Sequence, residues 1–191
     1  MTPDLDRATV ACDLMFQSLG IAGDDHTAAR HVRALAELTR GLREDPTEHL
    51  AVTFPPVSAE PGLVIATDIP FVSLCAHHAL PFHGTFAVAY LPKPDAHIVG
   101  LSKLARMVVG YASRPQVQEA IAAQAVSALM NTLNARGAAI ALRATHSCMA
   151  HRGARTGTDS AMVTVEHVGE LRDPPWRGEF AQAATRVIRG Q

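Results

Sequence analysis

The sequence predicts an α+β domain, and three observations lead there. Apolar alternation marks strands both before and after a pair of segments with helical period, so strands are grouped rather than interleaved with helices. A helical hairpin precedes them. Polar, turn-forming breaks such as EDPTEH and PKPDAH separate the groups within 191 residues. The division expected is a helical region over 1–48 and one main domain over 49–191, because a chain of this length supports one ordinary core rather than two.

Leu5, Val10, Leu14, Met15 and Leu19 recur at roughly helical spacing over residues 4–19, and Gly20 supplies the stop. Asp25 or Thr27 opens a second helix that turns Val32, Leu35 and Leu38 inward and closes at Gly41. LAVTF and GLVIATDI read as strands separated by PPVSAEPG, GTFAVAYL (84–91) as another, and IVG as a short one. Pro92 and Pro94 cannot donate ladder hydrogen bonds, which secures the turn that follows. Helices are predicted over 103–113, carrying Leu104, Val108 and Tyr111, and over 116–135, carrying Val117, Ile121, Leu129 and Leu133, with Pro115 restarting the helix. AAIALRATHSC and SAMVTVEHV are the last strands, and 177–189 a terminal helix. Helices on one face leave the other face or the edges of the sheet to be covered, which invites self-association.

Net charge is −1 and the sequence pI about 6.8, with scattered cations, so there is no electrostatic footprint for nucleic acid or an anionic membrane. No run of 18 apolar residues occurs, and acids stand near the N-terminus where a leader would be basic and then apolar; no membrane span and a cytoplasmic location are expected. Three cysteines argue against a disulfide framework and leave burial or metal ligation. Cys12, on the first helix, reads as a core residue.

The chemistry concentrates at LCAHHAL. Cys75 and His78 are three apart, and Cys148 lies 70 residues beyond His78, at the end of the strand RATHSC. Two thiolates and one imidazole leave the fourth tetrahedral position open to water, and zinc lowers the pKa of bound water to about 7. Alone, the Cys-x-x-His pair fits a buried cysteine beside a hydrogen-bonded histidine as well. His77 adjoins a ligand and cannot easily share its metal, while His146 shares a strand face with Cys148 if the strand continues that far. Both suit proton transfer, or are simply polar residues at a sheet end.

Ser102, Lys103 and Arg106 open the first core helix, where helix N-terminal donors and two cations on one face suit phosphate. Arg152 and Arg155 follow in HRGARTG, Arg155 reading as a solvated charge. Glu119, near the next helix start, either favours the helix dipole or accepts from an amino group and a ring N–H together. His83, His97, His151 and His167 read as surface or loop residues.

CAHH, GLSKLAR, RPQVQE and THSCMAHRG, in this order and spacing, closely resemble the GTP cyclohydrolase I family, over about Thr27 to Phe180. The resemblance implies the tunnelling fold, a four-stranded antiparallel sheet with two helices on one face, assembled as a decameric homo-oligomer with active sites between subunits. It implies Zn2+ on Cys75, His78 and Cys148, with His77, His146 and Ser102 catalytic. Gln118 and Glu119 would hold the purine, and Lys103, Arg106 and Arg152 the triphosphate and ribose side. The implied reaction opens the guanine imidazole ring of GTP by hydrolysis, releases formate and forms 7,8-dihydroneopterin triphosphate. Ala76 departs from the family's usual glutamate; Met162, Val163 and Glu166 depart on a strand that keeps Ser160 and Thr164; Ala28 and His31 replace a usual proline and valine. The alternative is a non-catalytic paralogue binding zinc and a nucleotide or pterin. His77, His146 and Glu119 separate the two, because metal binding needs none of them.

Overall fold

The computed structural model describes residues 2–190. Asp4 caps helix α1 (Leu5–Ser18) by accepting from the Arg7 N–H at 2.9 Å, an interaction worth about 1 kcal/mol. Helix α2 (Thr27–Leu38) packs on α1 through Cys12, Phe16, Ala28 and Val32. That cluster is small. Val10, Leu14 and Leu19, expected to line the helix pair, are each more than 60% exposed, so the apolar stripe of α1 faces outward.

A 3-10 turn over Pro46–Ala51 carries Leu50 into the main core, so only β1 (Thr53–Phe54) survives of the strand predicted at LAVTF. Strand β1 pairs antiparallel with β4 (Ile98–Val99) as a separate ribbon. The main sheet sets β2 (Val64–Cys75), β3 (Pro81–Leu91), β6 (Gly137–His146) and β7 (Met162–Gly169) side by side and antiparallel. A fifth member, β5 (Pro115–Gln116), lies parallel to the end of β2 at its free edge. Strand β2 extends six residues beyond the predicted GLVIATDI. One extra residue between Ala66 and Ile69, with Asp68 at φ 58°, forms a bulge that carries the pairing onward to Cys75.

Period-two alternation then fills two layers. Phe86, Val88 and Tyr90 of β3 and Ile140 and Leu142 of β6 face helices α3 (Leu101–Ala112) and α4 (Gln118–Leu133), meeting Leu104, Met107, Ile121 and Leu129. Ala87, Ala89, Ala139 and Ala141 point the other way, and their small side chains admit α6 (Trp176–Ala183) and α7 (Thr185–Arg189), which seat Phe180, Ala184 and Val187. The terminal helix is thus two short ones, and helices cover part of both sheet faces, not one. At Gly84 a Cβ would stand 1.8 Å from the Arg143 carbonyl oxygen, so the close approach of β3 and β6 there requires glycine. Arg114, after α3, ties the N-terminal region down by donating to the Gly41 and Glu44 carbonyls. Among the described residues no helix is long and apolar enough to cross a membrane.

Candidate active site

Three chain segments converge at one end of the sheet. Strand β2 ends at Cys75, whose carbonyl accepts from the His78 and Ala79 N–H groups, so a tight turn folds His78 back over Cys75. Ala79 takes φ 51° to close that turn. The Ala76 N–H donates to the Gln116 carbonyl at 2.9 Å, and Cys75 pairs with Gln116 in the β2–β5 register. That parallel contact brings the start of α4, with Gln118 and Glu119, beside the turn. Third, the β3–β6 register sets His146 opposite Phe82. The chain there leaves the sheet: Cys148 sits in the one-turn helix α5 (Ser147–Ala150), not on a continuing strand. The turn, rather than a shared strand face, carries Cys148 toward Cys75.

The three expected ligands meet. Cys75 Sγ lies 3.6 Å from His78 Nδ1 and 3.9 Å from Cys148 Sγ, and the three ligand atoms fall within 4.8 Å of one another. Zinc bonds of about 2.3 Å to sulfur and 2.0–2.1 Å to nitrogen give tetrahedral edges of roughly 3.8 Å between sulfurs and 3.6 Å from sulfur to nitrogen. Two of the three separations match these edges and the third lies within 4.8 Å, so the donor set suits a tetrahedral cation. Burial pushes the Cys148 thiol pKa up, and the adjacent Cys75 adds to the shift, because two thiolates this close oppose each other's ionisation. A cation between them would reverse that.

His77 Nδ1 is 4.0 Å from Cys75 Sγ, and its ring stands edge-on to that of His78. His77, Glu119, His146, Met149 and Met162 line, with the three ligands, a cavity of about 280 Å³. The His146 ring stacks flat on Phe82, with centroids 4.3 Å apart and planes 5° from parallel. Burial pushes its pKa down, and the Glu119 carboxylate partly offsets that.

Gln118 is placed differently from Glu119. It is 3% exposed, and its side-chain amide is engaged within the protein, by Leu142, Met162, Thr164 and His146. Glu119 is exposed at the cavity wall. Arg152 is exposed just after α5, close enough to Cys148 to favour its thiolate.

Ser102, Lys103 and Arg106 do not line this cavity. They lie in the first turns of α3, whose 12 residues span roughly 18 Å. Lys103 packs near Gly100, where the β1–β4 ribbon meets the helix, and Arg106 borders a separate recess with Arg40, Glu44 and His49. Two features escaped the sequence reading altogether: the β5 contact and the Phe82 and Gln118 support of His146. A two-residue strand has no periodicity to detect, and the partners of His146 lie 28 and 64 residues away along the chain. His167, expected at the surface, has a buried Nε2 edge-on to Phe180.

An α+β sheet whose end gathers two cysteines, a histidine and neighbouring proton carriers around an open cavity defines a candidate metal centre of the catalytic kind. The chain belongs to the GTP cyclohydrolase I family: the family's sequence model matches residues 17–185. A protein named GTP cyclohydrolase 1 from Corynebacterium aurimucosum is 46% identical over 167 residues, 83% of this chain and 84% of its own length. Proteins of the same name from Desulforamulus reducens and Mycolicibacterium gilvum are each 41% identical, covering 80% and 81% of this chain and 82% and 78% of theirs.

Proposed function

We propose that this chain hydrolyses the guanine imidazole ring of GTP, releasing formate and forming 7,8-dihydroneopterin triphosphate. The observation that carries the reading is the meeting of Cys75, His78 and Cys148 with His77, His146 and Glu119 around one cavity. A paralogue that only held metal would need the first three. Zn2+ is the proposed ion, and when bound it would supply Lewis acidity and a nucleophilic water near neutral pH.

The protein's own groups supply the rest. Glu119, at the cavity wall, accepts from the amino group and ring N–H of guanine and so orients C8 toward the ligand cluster. Water adds across C8 and N7 as His77 delivers a proton to N7; the C8–N9 bond then breaks with a proton to N9, leaving a formamide on N7. A second water releases formate. His146 and Ser102 then move protons during the ribose rearrangement and reclosure.

A cavity of about 280 Å³ has room for a base and little for a triphosphate; small-molecule pockets usually run to about 300–1,000 Å³. Lys103 and Arg106 lie away from it, which supports sites completed by a second copy, with the phosphates gripped by that copy's α3 and by Arg152. The tunnelling fold, a division at about residue 48 and a decameric ring are the architecture proposed for this. The exposed stripe of α1 supports further contacts between copies.

The test is to incubate zinc-loaded protein with GTP and measure formate together with the fluorescent oxidised neopterin. One formate per GTP is expected, and Cys148→Ser should lose both bound metal and formate release. Metal-replete protein that leaves GTP intact would instead favour the binding paralogue.

A further inference from the structure

The Gln118 side chain explains why His146 is held as it is. One terminal atom of its amide lies 3.2 Å from the Leu142 carbonyl oxygen and 3.1 Å from that of Met162. Carbonyl oxygens only accept, so that atom must be the amide nitrogen. Thr164 Oγ1, 3.1 Å away, adds a third polar contact to the same nitrogen. The other terminal atom is therefore the carbonyl oxygen, and it stands 2.9 Å from His146 Nε2. An oxygen without a proton requires a donor opposite it. Nε2 must carry the hydrogen.

We propose that Gln118 is the positioning residue that fixes the ring orientation and tautomer of His146, leaving Nδ1 as the only nitrogen through which His146 exchanges protons with the substrate. The inference rests on the proposed reaction for its purpose, but not for its geometry. It holds for the neutral and the protonated ring alike, because Nε2–H is present in both. The stacked Phe82 ring blocks one face, so the ring is located by a flat contact and a directed hydrogen bond together. Since Gln118 draws its own orientation from β6 and β7, the start of β7 is coupled to the histidine. This gives a purpose to a Gln at the cavity wall whose terminal amide is hydrogen-bonded within the protein.

The arrangement parallels, in physical terms, any catalytic histidine whose second nitrogen is occupied by an oxygen acceptor. Losing such a partner frees the ring to rotate and to populate the wrong tautomer. A proton then leaves or arrives at an atom that faces away from the reacting group.

The test is nitrogen NMR of zinc-loaded protein labelled with [15N]histidine, the His146 signals being assigned by their loss in His146→Asn. Above the titration of the ring, Nε2 is expected to show the directly bonded proton and Nδ1 the pyridine-like shift; the reverse pattern overturns the inference. Gln118→Met removes both donor and acceptor at similar length, and Gln118→Glu restores an acceptor toward His146 while its other oxygen, facing the Leu142 and Met162 carbonyls, carries a proton. The Met variant is expected to show mixed tautomers and a kcat lower by roughly 10- to 100-fold, with KM changed far less, and the Glu variant to recover the Nε2–H form. Unchanged tautomer and kcat in a folded Met variant would overturn it too. If that variant fails to fold, the wild-type spectrum still decides. The spectrum needs no turnover, so an Nε2–H signal in a protein that does not act on GTP would sink the proposed reaction and leave the positioning role intact.

Discussion

Burial of one ring nitrogen ties His167 to the pH dependence of stability. Its Nε2 has no hydrogen-bond partner within the described structure, and it sits edge-on to Phe180 with centroids 5.5 Å apart. Burial pushes its pKa below the usual histidine value, Arg177 acts in the same direction, and Glu166 opposes them. A histidine depressed in this way contributes its full stability above the unfolded value of about 6.5, and that stability falls as the pH drops through 6.5 toward the folded pKa. The urea midpoint of the wild type should therefore decline more between about pH 7.5 and 5.5 than that of His167→Leu. Parallel declines would show that the ring is not protonated at a cost. The candidate ligands Cys75, His78 and Cys148 were legible in sequence, since three-residue spacing followed by a distant cysteine already suggests a metal. The supporting residues were not, because a hydrogen bond such as Gln118 to His146 depends on strand register and carries no local pattern.

At the scale of elements, the second layer on the sheet was the least legible. Alanines at 87, 89, 139 and 141 carry no signal of a second layer in the sequence, yet their small volume is what lets α6 and α7 lie against the sheet. Phe180, fully buried, is the anchor of that layer. Phe180→Ala should lower unfolding free energy by about 3–5 kcal/mol in denaturant titrations, through lost burial and the cavity it leaves. A loss under about 1 kcal/mol would mean that the two helices do not hold the layer. By contrast, the order of the main strands and helices followed from apolar patterning, with β3 and β6 setting large apolar residues at alternate positions, Phe86, Val88 and Tyr90, and Ile140 and Leu142. Strand β2 runs beyond its predicted end at Ile69: Pro70, which cannot donate to a ladder, follows there, yet the strand continues to the site.

For the whole molecule, the question is how one copy's cavity acquires the cations proposed to grip phosphate, Lys103 and Arg106, which lie elsewhere on its own chain. If Lys103 serves the site of a neighbouring copy, then Cys148→Ser and Lys103→Ala impair different parts of each shared site. Unfolding and reassembling the two weak variants together should restore part of the activity that each lacks alone, because some interfaces then pair an intact ligand cluster with an intact lysine. No recovery in mixed assemblies of normal size would place both functions within a single chain. The outward stripe of Val10, Leu14 and Leu19 fits a chain that completes its surfaces by association, and its helical period was visible from the start while its direction was not.

Cys75, His78 and Cys148 are proposed to hold one cation and leave it a position open to solvent. X-ray absorption at the zinc edge reads that directly on the loaded protein. Two sulfurs, one imidazole nitrogen and one exchangeable light atom are expected. Two sulfurs with two imidazoles, His77 closing the fourth position, would contradict it.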